Sequence, residues 1–306
     1  MQADRQRMHP SMDHLDSHAS SRRSWLRNLS LACAPMAMAL LLGGSSSRTA
    51  SAGDKQEADT SPQAQKDALS SIPFNKLSDE ARRKVMSVVE QPTLFRRMPA
   101  HIAECDPDLH VCLVRNPELV VGMWQVMGAS NMTAERTGPY NWLGNDGAGT
   151  RCKVELIYGT SNLHVIYSDG YYEGALFKRR INGRCILVLR SDYRRGEDGR
   201  SLVHNHLDVF LAIDNLGADL VAKTLHPLFG STADANFSET TKFISRVNEA
   251  AERNGAGVQR LADRLPSVGD AVKTEFVETA AVTAQRAANR GQVVPAAANQ
   301  PAATKR

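Results

Sequence analysis

Between Met132 and Ile213 the apolar residues recur at every second position. Val154, Leu156 and Tyr158 form one such set, and Leu163, Val165 and Tyr167 a second. Cys185, Leu187 and Leu189 make a third, and Leu207, Val209, Leu211 and Ile213 a fourth. The segments GNDGAG, GTSN, SDG, ING and RRGEDGR separate these runs with turn-forming residues. Period two broken by short polar connections predicts a continuous antiparallel sheet of about five to seven strands.

On either side of this region the period is helical. Ser78 followed by DEARRKVMSVVEQ reads as an N-cap, an acidic first turn and an amphipathic helix that turns Ala81, Val85, Val88 and Val89 inward before Pro92 halts it. Asp106-Pro107 and Asn116-Pro117 each set a capping residue ahead of a proline at the first helical position, so two short helices are predicted. The second carries Leu119, Val120, Met123, Trp124 and Met127 on one stripe and ends at Gly128. Beyond the sheet, Gly217 to Phe229 predicts one helix. Ser231 and Asp234 then form a capping-box-like start for a longer one, with Phe237, Thr240, Thr241, Ile244, Val247 and Ala251 facing inward.

Helices, a sheet and a long terminal helix make an α+β layer fold, in which the sheet must cover an apolar face with helix. The run HLDVFLAIDNLGADLVAKTLHPLFG leading into SETTKFISRVNEAAE resembles the last strand and gripping helix of the START-like helix-grip family. That resemblance is one of pattern and spans Leu77 to Asn254. It implies a curved antiparallel sheet packed against a long C-terminal helix, with N-terminal helices and a cavity between sheet and helix. The chain also resembles a group of exported bacterial proteins, which implies no mechanism.

The first fifty residues change the picture. SRRSWLR is followed by the apolar run LSLACAPMAMALLLGG and by small residues ending ASA, the order of a cleaved export signal. Paired Arg22 and Arg23 resemble the twin-arginine signature. The apolar run spans 16 residues with Pro35 inside it, short of the roughly 20 a membrane-spanning helix needs. Residues 1–52 are therefore expected to be a signal, 53–71 a flexible lead-in, 72–254 the START-like domain, 255–290 a helical extension and 291–306 a disordered tail. The expected destination is beyond the inner membrane, periplasmic or secreted, with no transmembrane segment in the mature chain.

Six of the 37 basic and three of the 33 acidic residues lie in residues 1–52, which leaves 31 against 30. A balance so near neutral lacks the electrostatic footprint of a nucleic-acid binder. Cys105, Cys112, Cys152 and Cys185 remain after the signal, and either disulfides or buried free thiols suit them. No C-x-x-C pair, G-x-S-x-G elbow, Walker loop or G-x-G-x-x-G is present, so no motif calls for a cofactor.

One constellation invites a catalytic reading. HNHLD resembles the H-x-H-x-D metal motif of metallo-β-lactamase-like hydrolases, with His204, His206 and Asp208 as ligands. Yet VFLAID continues the alternation of a strand, which puts those three side chains together on the face opposite Leu207 and Val209. If the hairpin that precedes this strand closes around Arg195 to Asp198, Arg190 falls opposite His204 and Val188 opposite His206. The favoured expectation is instead a cavity that binds or carries an apolar small molecule or lipid, lined by Trp124, Trp142, Tyr158, Tyr167 and Phe237. A metal-dependent hydrolase and a cell-envelope interaction protein, using the weakly apolar arm after Val258, are the alternatives.

Overall fold

The computed structural model describes residues 57–174, 179–214 and 226–292, with the side chains of 226–231 and 291–292 outside that description. The signal, the tail beyond residue 292 and most of the helix expected at Gly217 to Phe229 lie outside the described residues. The fold is α+β. In chain order its elements are α1 (Pro62–Ser70), α2 (Asp79–Val89), β1 (Leu94–Arg97), β2 (His101–Glu104), α3 (Pro107–Arg115), α4 (Pro117–Val126) and β3 (Thr133–Gly138). There follow β4 (Asn141–Asn145), β5 (Thr150–Gly159), β6 (Leu163–Tyr172), β7 (Ile181–Arg195), β8 (Ser201–Ile213), α5 (His226–Arg253), α6 (Gly255–Arg264) and α7 (Asp270–Gln292).

The eight strands form one open antiparallel sheet in the order β1-β8-β7-β6-β5-β4-β3, and β2 also pairs with β8. Strands β3 to β8 follow one another as a meander, as short connections require. The pairs β1 and β2 make up a broken edge that the alternation does not reveal. Each is four residues long, and Pro99 sits between them, where an edge strand tolerates a missing N–H.

Over β7 and β8 both faces of the sheet are covered. On one, Leu187, Leu189, Leu207 and Leu211 meet α3, α4 and α5; on the other, Val165, Ile186, Val188 and Phe210 meet α1 and α2. This explains the unbroken apolar stretches CILVL in β7 and VFLA in β8, since a strand buried on both sides has no polar alternate. Among the described residues no helix is long and apolar enough to cross a membrane.

Helix α2 forms where the sequence places it. The Ser78 hydroxyl accepts from the Ala81 N–H at 3.2 Å, and Ala81, Val85, Val88 and Val89 are the buried residues. Helix α1 corrects the flexible lead-in expected over 53–71. The Ser61 hydroxyl caps Ala64 at 3.2 Å, Pro62 holds the first position, and Ala64 and Ala68 lie flush in the second core. Two alanines one turn apart carry a contact that composition alone hides.

The long helix is continuous from His226 to Arg253, so Ser231 and Asp234 do not start it. Asp234 instead accepts two bonds from Arg96 of β1, at 3.0 and 2.5 Å, which ties the helix to the sheet edge. Of its expected inward stripe, Phe237, Thr241, Ile244, Val247 and Ala251 are buried and Thr240 is half-buried. The segment after Val258 is helical, as expected, and it packs into the body of the fold. Val258, Ala262, Leu265, Phe276 and Ala280 are buried in the same core as α3 and α4, and Arg286 of α7 donates to both Asp106 oxygens at 2.9 Å.

Candidate functional site

Between the first face of the sheet and helices α3, α4 and α5 lies a cavity of about 160 Å³, partly open to the outside. Leu156, Ile166, Leu187, Leu189 and Leu207 form its floor, Leu113, Val120 and Trp124 one wall, and Phe237, Thr241 and Ile244 the roof. Among the described residues no charged side chain lines it. Its aromatic walls are anchored from behind. The Trp142 indole N–H donates to Glu118 Oε2 at 2.7 Å, and Glu118 Oε1 accepts from Arg136 Nε at 2.6 Å. The Arg136 guanidinium also stacks 4.8 Å from the Trp142 ring centre and donates to Asn116 Oδ1 at 2.6 Å. Trp124 rests on Phe243 with ring centres 5.5 Å apart, and His101 meets Phe237 edge-on at 5.3 Å.

One corner of the cavity is polar. His110 of α3 and Asn205 of β8 both line it and both are buried. His110 Nδ1 lies 3.1 Å from the Tyr193 hydroxyl, which donates its proton to the Ser161 carbonyl at 2.8 Å; the histidine is therefore the donor in that pair. Ser191 donates to Asn205 Oδ1 at 2.8 Å. Burial pushes the His110 pKa down to about 4, with Asn205 pulling the other way. Nearby His164 is also held at about 4, by burial first and then by the charge of Arg115.

Both imidazoles are thus neutral at pH 7. The serine, histidine and asparagine here do not make a nucleophile. Ser191 gives its proton to an amide oxygen rather than to the histidine, and no carboxylate stands behind His110. The corner supplies fixed dipoles. Sequence reasoning missed both residues, although His110 stands in the apolar stretch LHVCLV and Asn205 shares the inward face of β8 with Val203 and Leu207.

Of the five expected lining residues, the fold brings Trp124, Trp142 and Phe237 to the cavity and leaves Tyr158 and Tyr167 out of it. A β-bulge in β5 between Leu156 and Tyr158 breaks the alternation, so Leu156 faces the cavity while Tyr158 packs with the second core. Tyr167 follows Val165 onto that same face, and Ile166 is the residue of β6 that reaches the cavity.

His204, His206 and Asp208 also lie off the cavity. They share the second face of β8, as the alternation implies, but they do not form a metal site. Asp208 is fully buried and its two oxygens are taken by Arg97, at 2.7 and 3.3 Å, and by Arg190 at 2.8 Å. A carboxylate already neutralised by two guanidinium groups is a poor cation ligand. Among the described residues no group of three His, Cys, Asp or Glu side chains could hold a metal. The pairing is Arg190 opposite His206 and Asp192 opposite His204, two residues from the expected register. Gly199, at φ +77°, lets the chain turn back late and centres the hairpin on Asp198. Partial burial, and then Arg190, hold the His206 pKa below its ordinary value.

All four described cysteines are free and buried, and burial raises each thiol pKa. They are packing residues rather than nucleophiles. Compared with known proteins, the chain matches no family model and no curated sequence.

Proposed function

We propose that this chain is an exported, non-catalytic binding protein that encloses a small apolar molecule between its sheet and α5, in the manner of a helix-grip, START-like domain. The observation that carries the reading is the cavity of about 160 Å³ with Trp124, Trp142 and Phe237 in its walls and no charged side chain among its described lining residues. Its size narrows the ligand. Pockets for drug-sized molecules measure about 300–1,000 Å³, whereas an apolar cavity of about 150 Å³ holds one benzene ring. A one-ring molecule or a short chain fits this shape; a whole lipid does not.

Binding would follow from burial of apolar ligand surface, at roughly 25 cal/mol per Å² before the costs of association. The test is native mass spectrometry of the protein recovered from its own export pathway, with bound small molecules extracted, together with calorimetric titration with methylcyclohexane. A saturable site with negative heat-capacity change is expected. Absence of any saturable hydrocarbon binding refutes the reading.

A further inference from the structure

The polar side chains of the cavity lining fall into two sets. His110, Asn205 and Thr241 are buried and bonded to the protein: His110 Nδ1 is paired with Tyr193, Asn205 Oδ1 accepts from Ser191, and the Thr241 hydroxyl donates to the Phe237 carbonyl at 2.9 Å. Asn236 and Thr240 line the cavity as well, but they are half-buried and keep surface within reach of solvent. Val114 and Pro117 at the α3–α4 corner and Ala134 and Val154 of the sheet are half-buried too, whereas Leu187, Leu207 and Ile244 are buried. The half-buried set marks the open side of the cavity, and the buried set its depth.

The helix fixes where the polar part of that rim lies. Arg96 ties Asp234 to the β1 edge, and Phe237 packs into the core below. At about 100° per residue, Asn236 and Thr240 stand one turn apart on the flank of α5 turned away from Asp234. Among the described residues they are the only polar side chains of the lining that are half-buried. The cavity therefore has an apolar depth and a rim whose polar side chains all belong to α5.

Polarity so divided matches a molecule divided the same way. Hydrocarbon in the depth leaves water without losing a hydrogen bond, while a hydroxyl there would give up its hydration and compete for groups already bonded. At the rim the Asn236 amide and the Thr240 hydroxyl each donate and accept, and a hydroxyl does both. A carboxylate in that place would shed part of its water with no cation among the described lining residues to answer it.

Resting on the binding function proposed above, we infer that the ligand is a small amphiphile, a one-ring or short-chain alcohol, with its hydrocarbon part in the depth of the cavity and its hydroxyl at the rim beside Asn236 and Thr240. These two residues set the orientation of the guest and select its head.

The probes are methylcyclohexane, cyclohexylmethanol and cyclohexanecarboxylate, which share one carbon skeleton. Binding to the full chain is measured by calorimetry, and the Asn236 side-chain amide is followed by nitrogen-15 NMR. The alcohol is expected to bind at least as tightly as the hydrocarbon, because its hydroxyl stays bonded, and to move the Asn236 amide signal, which the hydrocarbon leaves in place. In the double variant Asn236→Leu, Thr240→Val, affinity for the alcohol falls about tenfold, as for the loss of one or two hydrogen bonds, and methylcyclohexane binds as before. The wild-type amide signal carries the test should that variant fail to fold. A hydroxyl forced into the depth would weaken the alcohol about tenfold or more against the hydrocarbon. That result, an unmoved amide signal, or an alcohol affinity unchanged in the variant each overturns the role of the rim. Carboxylate binding tighter than the alcohol's overturns the ligand class. If neither hydrocarbon nor alcohol binds, the cavity function itself fails, an outcome distinct from loss of the rim's preference.

Discussion

Filling the cavity separates a space that exists from one that does not. Ala233 of α5 is fully buried and lines the cavity, so Ala233→Leu directs three added carbons into it from a helical position that leucine suits. Each buried methylene contributes about 0.8 kcal/mol, for a gross gain near 2.4 kcal/mol. Fixing the leucine rotamer costs about 0.5–1 kcal/mol, and imperfect fit removes part of the rest. The expected net effect is a protein about 1 kcal/mol more stable, seen as a rise of about 2–4 °C in melting temperature and as a higher urea midpoint at unchanged slope. Methylcyclohexane binding should weaken at least tenfold in the same variant. If the space were already packed, the same change would overpack it and cost about 1–3 kcal/mol. Destabilisation with hydrocarbon binding intact would refute the placing of the binding site beneath α5.

On the opposite face, Asp208→Ala leaves Arg97 and Arg190 without their carboxylate and should cost about 3 kcal/mol in urea denaturation, with no change in bound metal by elemental analysis. Tyr158→Phe and Tyr167→Phe should leave methylcyclohexane affinity unchanged in calorimetry, because both rings pack against the N-terminal helices. Phe276→Ala should lose about 3–5 kcal/mol, since its ring, carried by α7, is fully buried; a near-neutral result would mean that α7 is not docked on the core. His110 has its pKa depressed to about 4 in the fold, so the unfolded chain binds the extra proton between about pH 6.5 and 4. Stability therefore falls on acidification through that window, by up to about 1.4 kcal/mol per pH unit, and replacing His110 with Asn should flatten the slope measured by urea unfolding at each pH.

Elements whose ends and faces are written in neighbouring residues are legible in the sequence. Ser78 with its acidic turn, the two Asx-Pro pairs and the stripe from Phe237 to Ala251 each specify a helix, and the structure has them. What the sequence hides depends on partners far along the chain. The strands β1 and β2 are too short for a period, and α1 shows only two alanines to the core. The site divides along the same line. Trp142 and Phe237 sit on elements with a single buried face, so pattern locates them, and Trp124 falls on the apolar stripe of a helix that is buried nearly all round. Tyr158 and Tyr167 sit on strands with apolar residues on both faces, so pattern does not say which face meets the cavity; a one-residue bulge turns Tyr158 away, and Tyr167 follows Val165. His204, His206 and Asp208 imitate a ligand set because alternation gathers them on one face. Arg97, 111 residues away, makes that face an ion-paired one.

A void beneath a helix would ordinarily be lost, because side chains that gain contacts by leaning inward do so. Here each aromatic wall is held by groups outside the space. Trp142 is fixed by Glu118, which is itself fixed by Arg136, and Arg136 is braced by Asn116 at the start of α4. Phe237 is on the helix that Arg96 ties to the sheet edge through Asp234, one turn away. Burying Glu118 with its charge is costly unless both of its oxygens are answered, and both are. Such a pair adds little net stability over an apolar substitute of the same volume. Its effect is positional: it keeps the Trp142 ring upright against the floor and the cavity open. On the binding function proposed above, the buried Glu118–Arg136 pair serves the cavity by fixing Trp142 from behind, where an apolar residue at 118 would leave its indole N–H without an acceptor.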